Sequence, residues 1–213
     1  FEKNAVVDSA GNYLLRSIQM GYKYGGHIRL SAAADKTIEF RDSIDGIFAL
    51  QVNEAYNGVE QTGDIVFTGA YTEQHLNDLL ETDGVNRQAT EAEINASRQS
   101  TIGRYVAVHG GRLRVEDGAV LSTHGIKMDE NAGATLLVKN ATVQCRNSDT
   151  DFKGDDNINI TRGNTLQVEG PSADDNRAFF MFPLANAQVE ASALNATVGA
   201  VLDTRTLTLH SGS

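Results

Sequence analysis

Gly110-Gly-Arg-Leu-Arg-Val-Glu-Asp-Gly118 is the stretch whose reading decides the fold. Two glycines open it, an Asp-Gly closes it, and between them Leu113 and Val115 alternate with Arg112, Arg114 and Glu116. Alternation with a period of two turns one side chain inward and the next outward, as a strand with one buried face demands. Gly and Asp tolerate the left-handed backbone that tight turns use. The stretch therefore reads as turn, short strand, turn.

The same word recurs along the chain. It stands as Gly25-Gly-His-Ile-Arg-Leu, as Thr37-Ile-Glu-Phe and as Gly63-Asp-Ile-Val-Phe-Thr-Gly. Later copies are Gly133-Ala-Thr-Leu-Leu-Val, Gly163-Asn-Thr-Leu-Gln-Val-Glu-Gly and Thr206-Leu-Thr-Leu. The triplets starting at Leu113, Leu136 and Leu166 are 23 and 30 residues apart. Periods of this size without long helices point to a solenoid, whose repeats bury their apolar edges by stacking. The expected fold is all-β, a right-handed parallel β-helix over residues 1–213 with a short helical excursion. A β-sandwich or jelly roll is the alternative, less suited to such short triplets.

Two segments break the pattern. Thr72-Glu-Gln-His-Leu-Asn-Asp-Leu-Leu spaces Leu76, Leu79 and Leu80 at helical intervals. Thr90-Glu-Ala-Glu-Ile-Asn-Ala-Ser-Arg has Glu93 three residues after Thr90, the pattern of a capping box. Residues 70–103 thus read as an excursion carrying one or two short helices. Asp149 to Asn159 is polar and reads as a protruding loop. Ala178-Phe-Phe-Met-Phe-Pro-Leu, the most apolar run, reads as a fully buried strand.

Composition bounds the function. With 22% charged and 40% hydrophobic residues, 20 Gly and 2 Pro, the chain is folded rather than disordered. A formal charge of −10 argues against nucleic acid and anionic membrane as partners, since both need clustered Lys and Arg. The lone cysteine, Cys145, excludes an internal disulfide and reads as a small buried hydrophobe. The chain begins at Phe1 rather than Met and ends on another strand–turn word, so it reads as cut from a longer protein at both ends.

No catalytic motif is present: neither a Gly-x-Ser-x-Gly elbow, nor a phosphate-binding loop, nor His-Glu-x-x-His. His27, His75, His109, His124 and His210 are scattered singly. Asp149, Asp151, Asp155 and Asp156 could offer oxygens to calcium, but Lys153 occupies a ligand position and a solvated loop is the better reading. Asp174 and Asp175, beside Pro171 and Ser172, read as ordinary turn residues. The sequons at Asn95, Asn140, Asn159 and Asn195 are as frequent as chance allows in an Asn- and Thr-rich chain. No catalytic, cofactor or metal residue is nominated. The rival function is a polysaccharide lyase or glycosidase, which the absence of Trp and the low aromatic content weaken.

Three stretches resemble the middle passenger domain of autotransporters, in particular the chlamydial polymorphic membrane proteins. Phe1-Glu-Lys-Asn is similar to that family's Phe-x-x-Asn signature. Gly26-His-Ile-Arg-Leu-Ser-Ala with Lys36-Thr-Ile-Glu-Phe-Arg-Asp-Ser-Ile resembles its strand pair. Gly63-Asp-Ile-Val-Phe-Thr-Gly, the helical insert, Gly110 to Leu121 and Gly133-Ala-Thr-Leu follow in a similar order, so the likeness spans about residues 1–145. The family's Gly-Gly-Ala-Ile/Leu tetrapeptide is not met, Gly26 being followed by His27 and Gly111 by Arg112. The resemblance implies a non-catalytic adhesin or structural spacer at the bacterial cell surface. It also implies export through the outer membrane by a C-terminal barrel, and a host or environmental receptor, protein or glycan, as partner. It carries over no binding residue.

Overall fold

The computed structural model describes residues 5–7, 13–15, 18–19, 26–45, 47–55, 58–129, 132–145, 157–160, 164–170, 178–190, 194–197 and 200–210. Strands come first: β1 (Ala5–Val7), β2 (Tyr13–Leu15), β3 (Ile18–Gln19), β4 (Gly26–Leu30), β5 (Thr37–Phe40), β6 (Ile44–Asp45), β7 (Ile47–Val52) and β8 (Asp64–Thr68). Two helices interrupt them, α1 (Thr72–Thr82) and α2 (Glu91–Ser97). After these come β9 (Gln99–Val108), β10 (Arg112–Glu116), β11 (Val120–Thr123), β12 (Gly125–Met128), β13 (Thr135–Lys139) and β14 (Thr142–Cys145). The chain ends on β15 (Asn157–Ile160), β16 (Thr165–Glu169), β17 (Ala178–Glu190), β18 (Leu194–Ala196) and β19 (Ala200–His210).

The protein is mostly β, with parallel sheets. One sheet runs β1-β2-β5-β8-β10-β13-β16-β18 and a second runs β11-β14-β17-β15-β12-β9-β7-β4, with β19 beside β17. From β10 onward the chain alternates between them, visiting the first sheet once and the second once or twice per passage. Antiparallel pairing, which a sandwich requires, is confined among the described residues to β1 with β2. Parallel neighbours need a long crossover, and the return through the other sheet supplies it.

Register explains the core. Ile38, Ile65, Leu113, Leu136, Leu166 and Leu194 stand opposite one another across the first sheet. Phe40, Phe67, Val115, Val138 and Val168 form the next inward row, and the Phe40 and Phe67 rings stack at 5.0 Å. From Ile65 to Val168 these side chains are buried, whereas Ile38 and Leu194 at the ladder's ends are half-buried. On the second sheet Ile28, Leu50, Val106 and Ile126 make an equivalent row. Each buried Leu or Ile contributes about 1.5–3 kcal/mol, and aligning them leaves no apolar edge exposed between passages. The triplet at Leu207 is a strand paired in parallel with β17.

Ile65 and Leu113 are direct neighbours although 48 positions apart, because the excursion lies between them. Its helices form where the spacing of Leu76, Leu79 and Leu80 predicts one, and these leucines are half-buried. The capping box is present: Glu93 N–H donates to Thr90 Oγ1 at 3.3 Å, and Thr90 N–H donates to Glu93 Oε2 at 2.8 Å.

Three sequence boundaries need correction. Residues 99–103 belong to β9, so the excursion closes at Arg98. Asn157–Asn159 begin β15 instead of ending a loop, while Asp149–Asp156 lie outside the described residues, as do Phe1–Asn4, Asp174 and Asp175. The apolar run from Ala178 is a strand, but its described part alternates: Ala178 and Phe180 are buried, whereas Phe179 and Met181 are half-buried. Its pairing with β19 shifts register between Phe182 and Asn186. Pro183 falls there, and a proline has no N–H to give the ladder.

Candidate functional site

The outward positions of the first sheet carry charge. With Phe40, Phe67 and Val115 pointing in, the period of two turns Glu39, Val66, Thr68, Arg114 and Glu116 out. Register sets Glu39 opposite Val66 and Val66 opposite Arg114, with Thr68 opposite Glu116. These residues, with Thr37, Arg41, Ala70, Tyr71 and Asp117, line a groove of about 320 Å³. Val66 is buried among them despite facing outward.

Ion pairs stiffen the groove's walls. Arg41 Nε donates to Glu39 Oε1 at 2.6 Å, and the guanidinium lies 4.3 Å from the centre of the Tyr71 ring. Arg114 donates to both oxygens of Glu116, from Nε at 2.8 Å and Nη2 at 2.9 Å, and from Nη1 to Asp64 at 2.9 Å. Asp64 also receives Arg112 Nε and Nη2 at 2.7 and 2.8 Å. Burial opposes the charge on Arg114, but its hydrogen bonds to Glu116 and Asp64 outweigh that and hold its pKa above the ordinary arginine value.

The excursion leaves the sheet at the edge of this groove, and its root is fixed tightly. Gly69 N–H donates to Glu116 O at 3.1 Å. A Cβ on Gly69 would fall 2.4 Å from Asp117 O, so only glycine permits this approach. At the other end Arg98 Nη2 donates to Gly69 O at 3.4 Å, and Val120 N–H to Arg98 O at 2.9 Å. Tyr71, the residue before α1, is thereby held at the groove's lip with 49% of its surface exposed.

Two other surfaces carry chemistry. Asn77, Asp78, Glu81 and residues 84–88 surround a larger but open cleft of about 550 Å³ in the excursion. On the second sheet, His27 packs against Phe48 at 5.6 Å and Tyr105 at 6.2 Å. Arg104 lies 5.7 Å from the Phe48 ring and Lys127 4.9 Å from the Tyr105 ring. Gln51 Nε2 donates to Tyr105 Oη at 3.0 Å, and the His109 ring stands between Gln51 Oε1 and Asp129 Oδ2.

The histidines weighed in the sequence fall on different elements. His27 is exposed on β4, His75 lies in α1, His109 follows β9, His124 is buried between β11 and β12, and His210 ends β19. His27 packs on this aromatic surface, and His109 reaches it through Gln51. Among the described residues no group of three or more His, Cys, Asp and Glu is placed to hold a metal ion. Cys145 lies in β14, with its side chain outside the described residues. Of the sequon asparagines, Asn95 and Asn195 are exposed, Asn140 sits in a turn with φ of 48°, and Asn159 lies in β15.

Sequence reasoning missed the groove. Its signal was present only in outward residues that read as solvated strand faces, and nothing local says that Glu39 and Arg114 flank the same valine. Compared with known protein families, curated proteins and solved structures, the chain matches none.

Proposed function

We propose that this chain is a stretch of right-handed parallel β-helix from a surface-displayed passenger, and that it works as a non-catalytic adhesin or spacer. The observation that carries the reading is the parallel ladder Leu113–Leu136–Leu166, in register despite sequence spacings of 23 and 30 residues. The strands stay in step, apolar residue over apolar residue on the inward side, while the connections vary in length, as expected of stacked coils sharing one core. Right-handed crossovers are the rule for parallel strands. Export and attachment through a C-terminal outer-membrane barrel rest on the resemblance to autotransporter passengers.

A stiff shaft with side excursions suits display: the core resists bending while loops and inserts change freely. Against the rival reading, the groove carboxylates Glu39 and Glu116 are each held by an arginine. Glycoside cleavage needs an acid and a base facing one bond, and this pair would first have to give up those partners.

The test has two arms. Each repeat added to the chain should lengthen the particle in small-angle X-ray scattering by about 4.8 Å. A screen against acidic and neutral polysaccharides, read by reducing ends and ultraviolet absorbance, should stay silent. A maximum dimension that does not grow with added repeats would remove the β-helix. Turnover abolished by a single Asp or Glu substitution that leaves the fold intact would replace the adhesin with an enzyme.

A further inference from the structure

We infer that the groove between Glu39–Arg41 and Arg114–Glu116 is a binding site for a neutral saccharide unit, gripped at its hydroxyls and covered by Tyr71. The passenger reading gives the site its use, but the chemistry stands on the groove alone.

Size comes first. About 320 Å³ lies at the lower end of small-ligand sites, room for one or two sugar rings rather than a peptide segment. Shape and polarity follow. A hexose presents hydroxyls around its rim and an apolar C–H face. The groove offers the complement: charged groups on both walls, Thr37 and Thr68 hydroxyls beside them, and Val66 between. Tyr71, with Arg41 over one face of its ring and half its surface exposed, adds at the lip the aromatic element that stacks against sugar C–H groups. Its ring is the largest exposed apolar surface of the lining.

Charge decides the class. Glu39 and Glu116 are each neutralised by an arginine, which leaves Asp117 as the remaining formal charge in the lining. An anionic sugar would meet that carboxylate and the field of a chain carrying −10. A neutral diol suits the paired groups, because a carboxylate that accepts two N–H bonds still has lone pairs for hydroxyl donors. The side chains are already ordered by their pairing, with Glu116 11% and Glu39 22% exposed, so binding loses little side-chain freedom. The aromatic surface around His27 and Tyr105 lies on the second sheet and shares no residue with the groove, so it serves as the internal control.

The probes are neutral oligosaccharides built from glucose, galactose, mannose and N-acetylhexosamines, with oligogalacturonate as the anionic comparator. Saturation-transfer NMR and calorimetry on the whole chain should detect saturable binding of at least one neutral probe and weaker binding of oligogalacturonate. Tyr71→Ala and Glu39→Gln should each weaken it about tenfold or more, as groups central to a small site do. Tyr71→Phe, which keeps the ring, should stay within about threefold, and Tyr105→Ala should leave binding unchanged. Tyr71 is half exposed, so its variants keep the fold, and matched unfolding midpoints verify this. The inference is overturned if no neutral probe saturates, if Tyr71→Ala binds like the parent, or if oligogalacturonate binds more tightly. Lengthening with added repeats while no neutral probe binds removes this site alone. Turnover of a bound probe removes the passenger reading and keeps the site.

Discussion

Asn53 Nδ2 donates to the carbonyl of Gly63 at 2.8 Å, joining two passages of the chain at a corner sealed from water. The same amide donates to Gly110 O at 3.0 Å, and its Oδ1 accepts from Ala32 N–H at 2.9 Å. Asn53 adopts φ of 55°, a region that asparagine visits more readily than most residues. One buried side chain thus satisfies three backbone groups on three separate turns. Asn164 does similar work further along, accepting from Ala134 N–H at 3.0 Å and donating to Asp129 O at 2.7 Å.

Asn53→Ala should therefore destabilise the fold strongly. It strands the buried Ala32 N–H and the Gly110 carbonyl, each of which costs about 1–3 kcal/mol without a partner, while Gly63 O keeps the Arg112 N–H, and it places alanine in left-handed backbone. A loss of at least about 3 kcal/mol is expected from urea unfolding midpoints. A loss below about 1 kcal/mol would mean that water replaces the amide and the corner is open.

Two glycines should respond differently to alanine. At Gly63 the new Cβ would lie 2.3 Å from Ala33 O and 2.4 Å from Lys36 O, so backbone must move, and a loss of about 3 kcal/mol is expected. At Gly84 the φ of 73° is unfavourable but nothing lies within 4 Å, so Gly84→Ala should cost about 1 kcal/mol, felt within the excursion. Chemical denaturation of both variants checks the order, which reverses if the turn at Gly63 is loose.

Leu136 lies in the middle of the first sheet's ladder between Leu113 and Leu166 and is fully buried. Leu136→Ala should cost on the order of 2–5 kcal/mol, transfer and cavity terms together. Leu79→Ala, on a half-buried position of α1, should cost less. Equal losses would show that the excursion is part of the cooperative core.

Glu93 gives the excursion a pH dependence. Hydrogen bonds from Arg87 Nη1 and Nη2 at 2.8 and 2.7 Å, then from Thr90, hold its carboxyl far below the usual carboxylate range. A depressed folded pKa contributes stability above the unfolded value of about 4.3, and that stability is lost as pH falls through the folded value. Carboxyl NMR should show Glu93 titrating well below the usual carboxylate range, and Arg87→Gln should raise it toward the ordinary value. Amide exchange in α2, corrected for intrinsic rates, should speed up below about pH 4. Thr90→Ala should produce a similar change at neutral pH, costing α2 about 1 kcal/mol.

Local chemistry in the sequence determined the strands of the recurring word, their inward faces and the two helices. Alternation at Leu113 and Val115, leucine spacing at Leu76 to Leu80, and the Thr90–Glu93 box act over a few residues, so nothing distant alters their reading. Only the tertiary structure decided which strands are neighbours, that Ile65 meets Leu113 across 48 positions, and that Asn53 serves three turns. It also decided the groove. Glu39, Val66 with Tyr71, and Arg114 come from three separate segments, and an outward side chain's neighbours depend on register and on where Gly69 lets the excursion leave the sheet. Register is fixed by burying the inward rows together, a non-local free energy that no short stretch of sequence contains.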